Sequence, residues 1–179
     1  MKRVIKLSAQ VTFILGGAAS GKSSYAEHIC LTSGKDRVYL ATSQILDHEM
    51  RVKVDKHVVQ RGNDWTTYEE GFDLSPILNS LNTSQICLLD CATMWLTNHL
   101  LAENNLDTEQ RNLLASIASC KADLVVVSNE VGLGIVPDNA LSRKFREAQG
   151  RFNIALAAQA NCVVQVIAGL PLVLKGQLP

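Results

Sequence analysis

Gly16-Gly17-Ala18-Ala19-Ser20-Gly21-Lys22-Ser23 is the stretch that decides the fold. It fits G-x-x-x-x-G-K-[ST] at every fixed position. The apolar run Val11-Thr12-Phe13-Ile14-Leu15 before it reads as a buried strand, and Ser24-Tyr25-Ala26-Glu27-His28-Ile29 after it is compatible with a helix. Glycines let backbone N–H groups turn inward around phosphate oxygens, and the helix N-terminus adds its partial positive charge. In that arrangement Lys22 bridges the terminal phosphates of a nucleoside triphosphate and the Ser23 hydroxyl ligates Mg²⁺. A plain glycine turn ahead of a helix is the bland alternative.

Outward from this loop the chain alternates strand and helix. Val38–Ala41, Ile86–Leu89, Leu124–Val127 and Val163–Ala168 are short apolar runs of buried-strand type, with amphipathic segments between them. This predicts an α/β P-loop nucleotide-binding fold, with a mostly parallel sheet flanked by helices. Trp65–Tyr68 reads as a strand near an edge. Leu170–Leu174 contains Pro171, which favours an antiparallel C-terminal edge strand. Residues 1–10 read as an N-terminal extension and 11–179 as a single domain.

Composition narrows the partners. Seventeen basic residues cancel seventeen acidic ones, so net charge points to no nucleic acid. No apolar run reaches the roughly 20 residues of a membrane span. The basic start lacks the apolar stretch of a signal peptide. Five cysteines, an odd number with no CxxC pair, argue for reduced, buried thiols and a cytoplasmic location.

A second carboxylate should help hold the metal. Asp90 ends the apolar strand Ile86-Cys87-Leu88-Leu89, and carboxyl ends of strands are where open α/β sheets bind ligands. Asp90 also reads as an N-cap for the helix that follows, and the two roles are compatible. An N-K-x-D base-reading motif is absent, and Asp90-Cys91-Ala92-Thr93 lacks the glycine of D-x-x-G. The chain is therefore not an ordinary GTPase switch.

Further segments carry a resemblance. In order they are Ala41-Thr42-Ser43; Asp47, Glu49 and Met50; His57, Arg61, Trp65 and Glu69; Leu88-Leu89-Asp90-Cys91 with Trp95-Leu96-Thr97-Asn98; and Ser128-Asn129-Glu130-Val131-Gly132 with Gly134-Ile135-Val136-Pro137. From about Val11 to Lys175 the chain resembles the bifunctional adenosylcobinamide kinase / adenosylcobinamide-phosphate guanylyltransferases of cobalamin biosynthesis. The resemblance implies two reactions. A nucleoside triphosphate, ATP or GTP, phosphorylates adenosylcobinamide. GTP then donates GMP through a histidine to adenosylcobinamide phosphate, giving adenosyl-GDP-cobinamide. By position His57 matches the guanylylated histidine. The family's nucleotide contacts fall on Gly16, Gly17, Ala18, Ala19, Ser20, Gly21, Lys22 and Ser23, on Ala41, Thr42 and Ser43, on Val58, Val59, Gln60 and Arg61, and on Glu69 and Asp90. Lys22 and His57 take the catalytic roles, and Ser23 and Asp90 the metal. One position departs, because Ala19 stands where the family usually carries Arg.

The histidine segment has its own physical reading. Asp47 is a good N-cap for a helix running to about Arg61. At roughly 100° per residue, Met50, Val54, His57 and Val58 share a stripe, with Val52 and Val59 opposite. Apolar groups on both faces suggest that the helix packs on the body and also meets substrate or another subunit; a homo-oligomer is expected, and the resemblance suggests a trimer. A histidine in such a stripe is more often packed core than nucleophile; the family spacing is what favours catalysis. His28, His48 and His99 read as surface or packing residues. Asn129 to Pro137 follows a strand and therefore sits on the ligand-binding rim, although a structural turn explains it too. Arg143, Lys144 and Arg146 open a long helix and face either an anionic substrate or solvent. Two other functions fit the phosphate loop alone: a different P-loop small-molecule kinase without guanylylation, and a nucleotide-gated module that is not an enzyme.

Overall fold

The structure is a computed structural model that describes residues 9–43 and 64–178. Seven strands form one sheet: β1 (Val11–Gly16), β2 (Asp36–Ala41), β3 (Trp65–Glu69), β4 (Gln85–Asp90), β5 (Asp123–Asn129), β6 (Cys162–Ile167) and β7 (Leu170–Lys175). Their order across the sheet is β3-β2-β4-β5-β1-β6-β7. Every pairing is parallel except β6 with β7. The mostly parallel sheet with an antiparallel C-terminal edge is therefore as the sequence predicts. Trp65–Glu69 takes the opposite edge, as its weak apolar pattern implies.

Five described helices flank the sheet: α1 (Lys22–Thr32), α2 (Ser75–Ser80), α3 (Ala92–Leu101), α4 (Leu106–Ser119) and α5 (Ala140–Gln159). Strand side chains alternate between two faces, so each face has its own core. On one face Phe13, Leu40, Leu89 and Val126 pack against Leu78, Trp95, Leu96, Ile117 and Phe152 from α2 to α5. On the other, Ile14, Leu88, Val127 and Val166 pack against Ala26, Ile29 and Cys30 of α1. Asn105 and Asn139 cap α4 and α5 by accepting from Thr108 N and Ser142 N at 3.1 and 2.7 Å. Each such cap is worth about 1 kcal/mol.

Several boundaries shift slightly. Ala168 leaves β6 and joins Gly169 in a tight turn, both with positive φ (52° and 78°). Gln10, counted with the extension, is tied into the fold: its N–H donates to Asp123 Oδ1 at 2.9 Å and its carbonyl accepts from Leu124 N at 2.8 Å. All five cysteines are buried and outside disulfides. His99 is buried against Trp95 and Phe72, and His28 is exposed, matching their packing and surface readings.

Candidate active site

The parallel strands all end on one rim, and the phosphate loop connects β1 to α1 there. Its shape depends on close backbone approach. A Cβ on Gly16 would meet Ser20 Oγ at 2.5 Å and the Val166 carbonyl oxygen at 2.8 Å. Gly21 has φ 91°, in the left-handed region, and a Cβ there would lie 3.1 Å from Gly169 Cα. Glycine is the residue that meets both demands. Ala19 also adopts positive φ (54°), and it is exposed. This position therefore bears on the rim and leaves the core untouched.

Lys22 is the first residue of α1, and its Nζ donates to the Gly17 carbonyl at 3.2 Å, folding the ammonium back over the loop. Ser20 Oγ is buried without a hydrogen-bond partner. A buried hydroxyl left unpaired costs free energy, and an oxyanion held by the loop is a natural partner for it. The turn between β6 and β7 supports the loop from behind, because Gly169 N donates to the Ser20 carbonyl at 2.8 Å.

Asp90 ends β4, two strands from β1. It is not the helix cap: Cys91 Sγ caps α3 by accepting from Met94 N at 3.4 Å. The Asp90 carboxylate instead accepts from the Tyr39 hydroxyl at 3.1 Å. Burial first, and the neighbouring Asp90 charge second, push the Cys91 thiol up to about 12, while Lys22 is close enough to oppose that shift. The lysine, the aspartate and this corner thus share one electrostatic neighbourhood. Thr42 holds the corner in place. Its hydroxyl donates to the Cys91 carbonyl at 2.7 Å and accepts from Cys91 N at 2.9 Å, and its N–H donates to the Asp90 carbonyl at 3.2 Å. Asn98 Nδ2 then donates to the Thr42 and Gly71 carbonyls at 2.8 and 2.9 Å. The fully buried Thr42 side chain is occupied by this scaffold. Tyr39 is a site-building residue that sequence reasoning passed over, because it reads as part of an ordinary apolar strand; Asn98 stands among the resemblance's residues with no role assigned.

The other predicted residues divide by position. Ala41 and Ser43 flank Thr42 on the rim. Glu69 lies on β3, four strand spacings or roughly 19 Å from β1. It belongs to a different stretch of the rim from the phosphate grip. His57, Val58, Val59, Gln60 and Arg61 lie outside the described residues, as does the helix expected from Asp47. Arg143 is exposed and Arg146 half-buried, and both guanidinium groups turn back onto the preceding loop. Arg143 donates to the Pro137 and Asp138 carbonyls at 2.9 and 2.6 Å, and Arg146 to Ile135 at 2.9 Å and to Gly132. Their guanidinium forks match a loop rich in free carbonyls.

Residues 12–174 match the family described as cobinamide kinase / cobinamide phosphate guanyltransferase. The chain belongs to this family. The bifunctional adenosylcobalamin biosynthesis protein CobP of Pseudomonas aeruginosa is 41% identical over 167 residues, covering 92% of this chain and 96% of that protein. The bifunctional adenosylcobalamin biosynthesis protein CobU of Escherichia coli is 36% identical, covering 90% and 98%. Its Salmonella typhimurium namesake is 38% identical with the same coverage. Solved structures agree on the fold. A protein of Pyrococcus horikoshii superposes with TM-score 0.57 at 9% identity, covering 94% of this chain and 87% of that one. A type III secretion ATPase of pathogenic bacteria gives 0.54 at 10%, covering 93% and 57%. This chain of the cobinamide kinase / guanyltransferase family thus has a sheet of the same fold as these structures.

Proposed function

We propose that this chain runs both family reactions from the single phosphate grip at Gly16 to Ser23. It phosphorylates the hydroxyl of the aminopropanol arm of adenosylcobinamide with ATP or GTP. It then moves GMP from GTP through His57 to adenosylcobinamide phosphate, forming adenosyl-GDP-cobinamide. The observation that carries the reading is the glycine-shaped loop with Lys22 and an unpaired Ser20 hydroxyl, set in a chain of this family along nearly its whole length.

In the kinase step the alcohol oxygen bonds to the γ-phosphorus as the bridging P–O bond breaks. Lys22 leaves the Gly17 carbonyl and follows the negative charge that gathers on the phosphoryl oxygens. In the guanylyl step a neutral His57 nitrogen bonds to the α-phosphorus and pyrophosphate departs. A phosphate oxygen of adenosylcobinamide phosphate then attacks the same phosphorus, and the P–N bond breaks. Ser23 and Asp90 would hold Mg²⁺, and their donor chemistry fits, being a hydroxyl and a carboxylate that is not engaged as a helix cap. When bound, the ion neutralises phosphate charge. The reading includes a homo-oligomer, with a trimer expected, and a cytoplasmic location; the five buried thiols outside disulfides support the latter. Among the described residues, no helix is long and apolar enough to cross a membrane.

Incubation with α-labelled GTP and Mg²⁺ tests the reading. The protein should take up α-label and not γ-label, in an acid-labile, base-stable linkage. His57→Ala should lose the label and keep kinase turnover. A wild-type chain that phosphorylates adenosylcobinamide but never takes up α-label would instead be a P-loop kinase alone.

A further inference from the structure

We propose that Glu130 is the general base of the kinase step, taking the proton of the acceptor hydroxyl as that oxygen attacks the terminal phosphorus. This rests on the two-reaction reading above and adds to it the residue that handles the alcohol. The step leaves a proton to be placed. The O–P bond forms, the bond from the γ-phosphorus to its bridging oxygen breaks, and the nucleoside diphosphate departs with that electron pair. The hydroxyl hydrogen passes to a base and later to solvent.

Among the described residues, the rim offers few acceptors for that proton. Lys22 is an ammonium with donors only. Asp90 takes the Tyr39 hydroxyl and stands in the place assigned to the metal. Glu69 and Glu70 lie at the β3 edge, remote from β1. Glu130 follows β5 directly. That strand lies between β1 and β4, pairing Gly16 with Asn129 on one side and Asp90 with Val127 on the other. The Glu130 N–H donates to the Gly16 carbonyl at 3.0 Å, so its backbone touches the first residue of the phosphate loop.

Its anchor is built from buried polar side chains. Asn129 N takes Thr93 Oγ1 as acceptor at 2.8 Å, and the Asn129 carbonyl accepts from Asn153 Nδ2 at 3.1 Å. Gln149 Nε2 donates to Ser128 Oγ and to Asn153 Oδ1, both at 2.9 Å, and Ser128 Oγ donates to Asn153 Oδ1 at 2.7 Å. Ser128 and Gln149 are 0% exposed, and burying such groups is costly unless they are hydrogen-bonded, as these are, which fixes their positions. The carboxylate is then set by its own loop. Oε1 accepts from Gly132 N, and a Cβ on Gly132 would lie 2.7 Å from that oxygen, so a side chain there would displace the carboxylate from this position. Arg143 and Arg146 are turned to carbonyls, and Glu130 forms no ion pair among the described residues. Beyond it Leu133, Ile135 and Val136 are 85, 96 and 68% exposed. An apolar shelf beside a carboxylate suits a bulky alcohol whose hydroxyl arm reaches toward the phosphates.

Glu130→Gln in the full chain is the test. The amide oxygen keeps the bond from Gly132 N, so the loop stays pinned while the base is removed. Kinase kcat should fall about 10²-fold or more, the size of a lost general base. The KM for nucleoside triphosphate should stay near wild type, and α-label uptake from GTP should continue, because histidine attack transfers no hydroxyl proton. Glu130→Asp, which keeps a carboxylate, should turn over faster than Glu130→Gln. A Glu130→Gln kcat within about threefold of wild type overturns the proposal. So does parallel loss of α-label uptake, which would make Glu130 part of the shared grip, and so does a Glu130→Asp variant no faster than Glu130→Gln. If the wild type itself takes up no α-label, the guanylyl reading fails, and the kinase kcat ratio still decides the role of Glu130.

Discussion

The phosphate loop and the loop from Glu130 to Pro137 meet at the Gly16 carbonyl, yet they are held by different means. The phosphate loop is fixed by backbone: within it by Ser20 N to Gly17 O, Tyr25 N to Gly21 O and left-handed φ at Ala19 and Gly21, and from the β6–β7 turn by Gly169 N to Ser20 O. The other loop is fixed largely by side chains, its own Glu130 on Gly132 N and Arg143 and Arg146 from α5, while its apolar groups face solvent. A phosphate is the same in every nucleotide, and a backbone cradle recognises it without side chains. An acceptor differs in shape from one chemistry to another. A loop held by two replaceable arginines can be reshaped without disturbing the grip.

Lys22→Ala should break the comparison most severely. It removes the charge used by both reactions, so kinase turnover and α-label uptake should each fall on the order of 10²-fold or more in a folded protein. Near-normal turnover of either one would end the idea of a shared grip. The same glycine-to-alanine change in each loop sharpens the contrast. Gly21→Ala meets both a positive φ and the Gly169 backbone, and should cost about 1–2 kcal/mol together with nucleotide affinity. Gly134→Ala meets nothing within 4 Å, and its Tm should stay close to wild type. Equal losses in a denaturant titration would show that the two loops are not held differently after all. Arg146→Ala releases the Ile135 and Gly132 carbonyls. It should raise the KM for adenosylcobinamide several-fold, by about 1 kcal/mol of loop ordering, and leave α-label uptake alone. The smallest effect comes from buried thiols. Burial pushes Cys30 and Cys91 up to about 12 from an ordinary 9. Between those values the unfolded chain has lost protons that the folded chain keeps, so stability should decline as pH rises from 9 toward 12. Serine at either position should flatten that decline, which denaturant midpoints across the range would reveal.

The glycine loop between β1 and α1 was legible in the sequence because its fixed glycines, lysine and serine answer to one recurrent loop geometry. The strands were legible because parallel strands buried on both faces are written as unbroken apolar runs, as in Ile86–Leu89 and Leu124–Val127. What escaped were contacts between residues distant in the chain. Nothing near Thr42 in sequence shows that its hydroxyl closes on Cys91, 49 residues away. Nothing beside Arg146 shows that its guanidinium folds back on carbonyls of the preceding loop. Asp90 read as metal ligand first and also as a helix cap, and the Cys91 thiol at the cap position removes the second role. The Asp47 to Arg61 segment rests on spacing alone.

The bond from Gly169 to Ser20 has a consequence for the order in which the molecule acquires its activity. The glycine loop is among the first parts of this sequence to leave the ribosome, and the turn that braces it emerges about 150 residues later, at the usual synthesis rate a delay of roughly ten seconds or more. A nascent chain halted before residue 169 therefore carries the whole phosphate motif without its brace. Nucleotide affinity should appear late, as a sign that the far end of the sheet has been laid down. During synthesis, GTP would distinguish chains whose last strands are in place from those still being made.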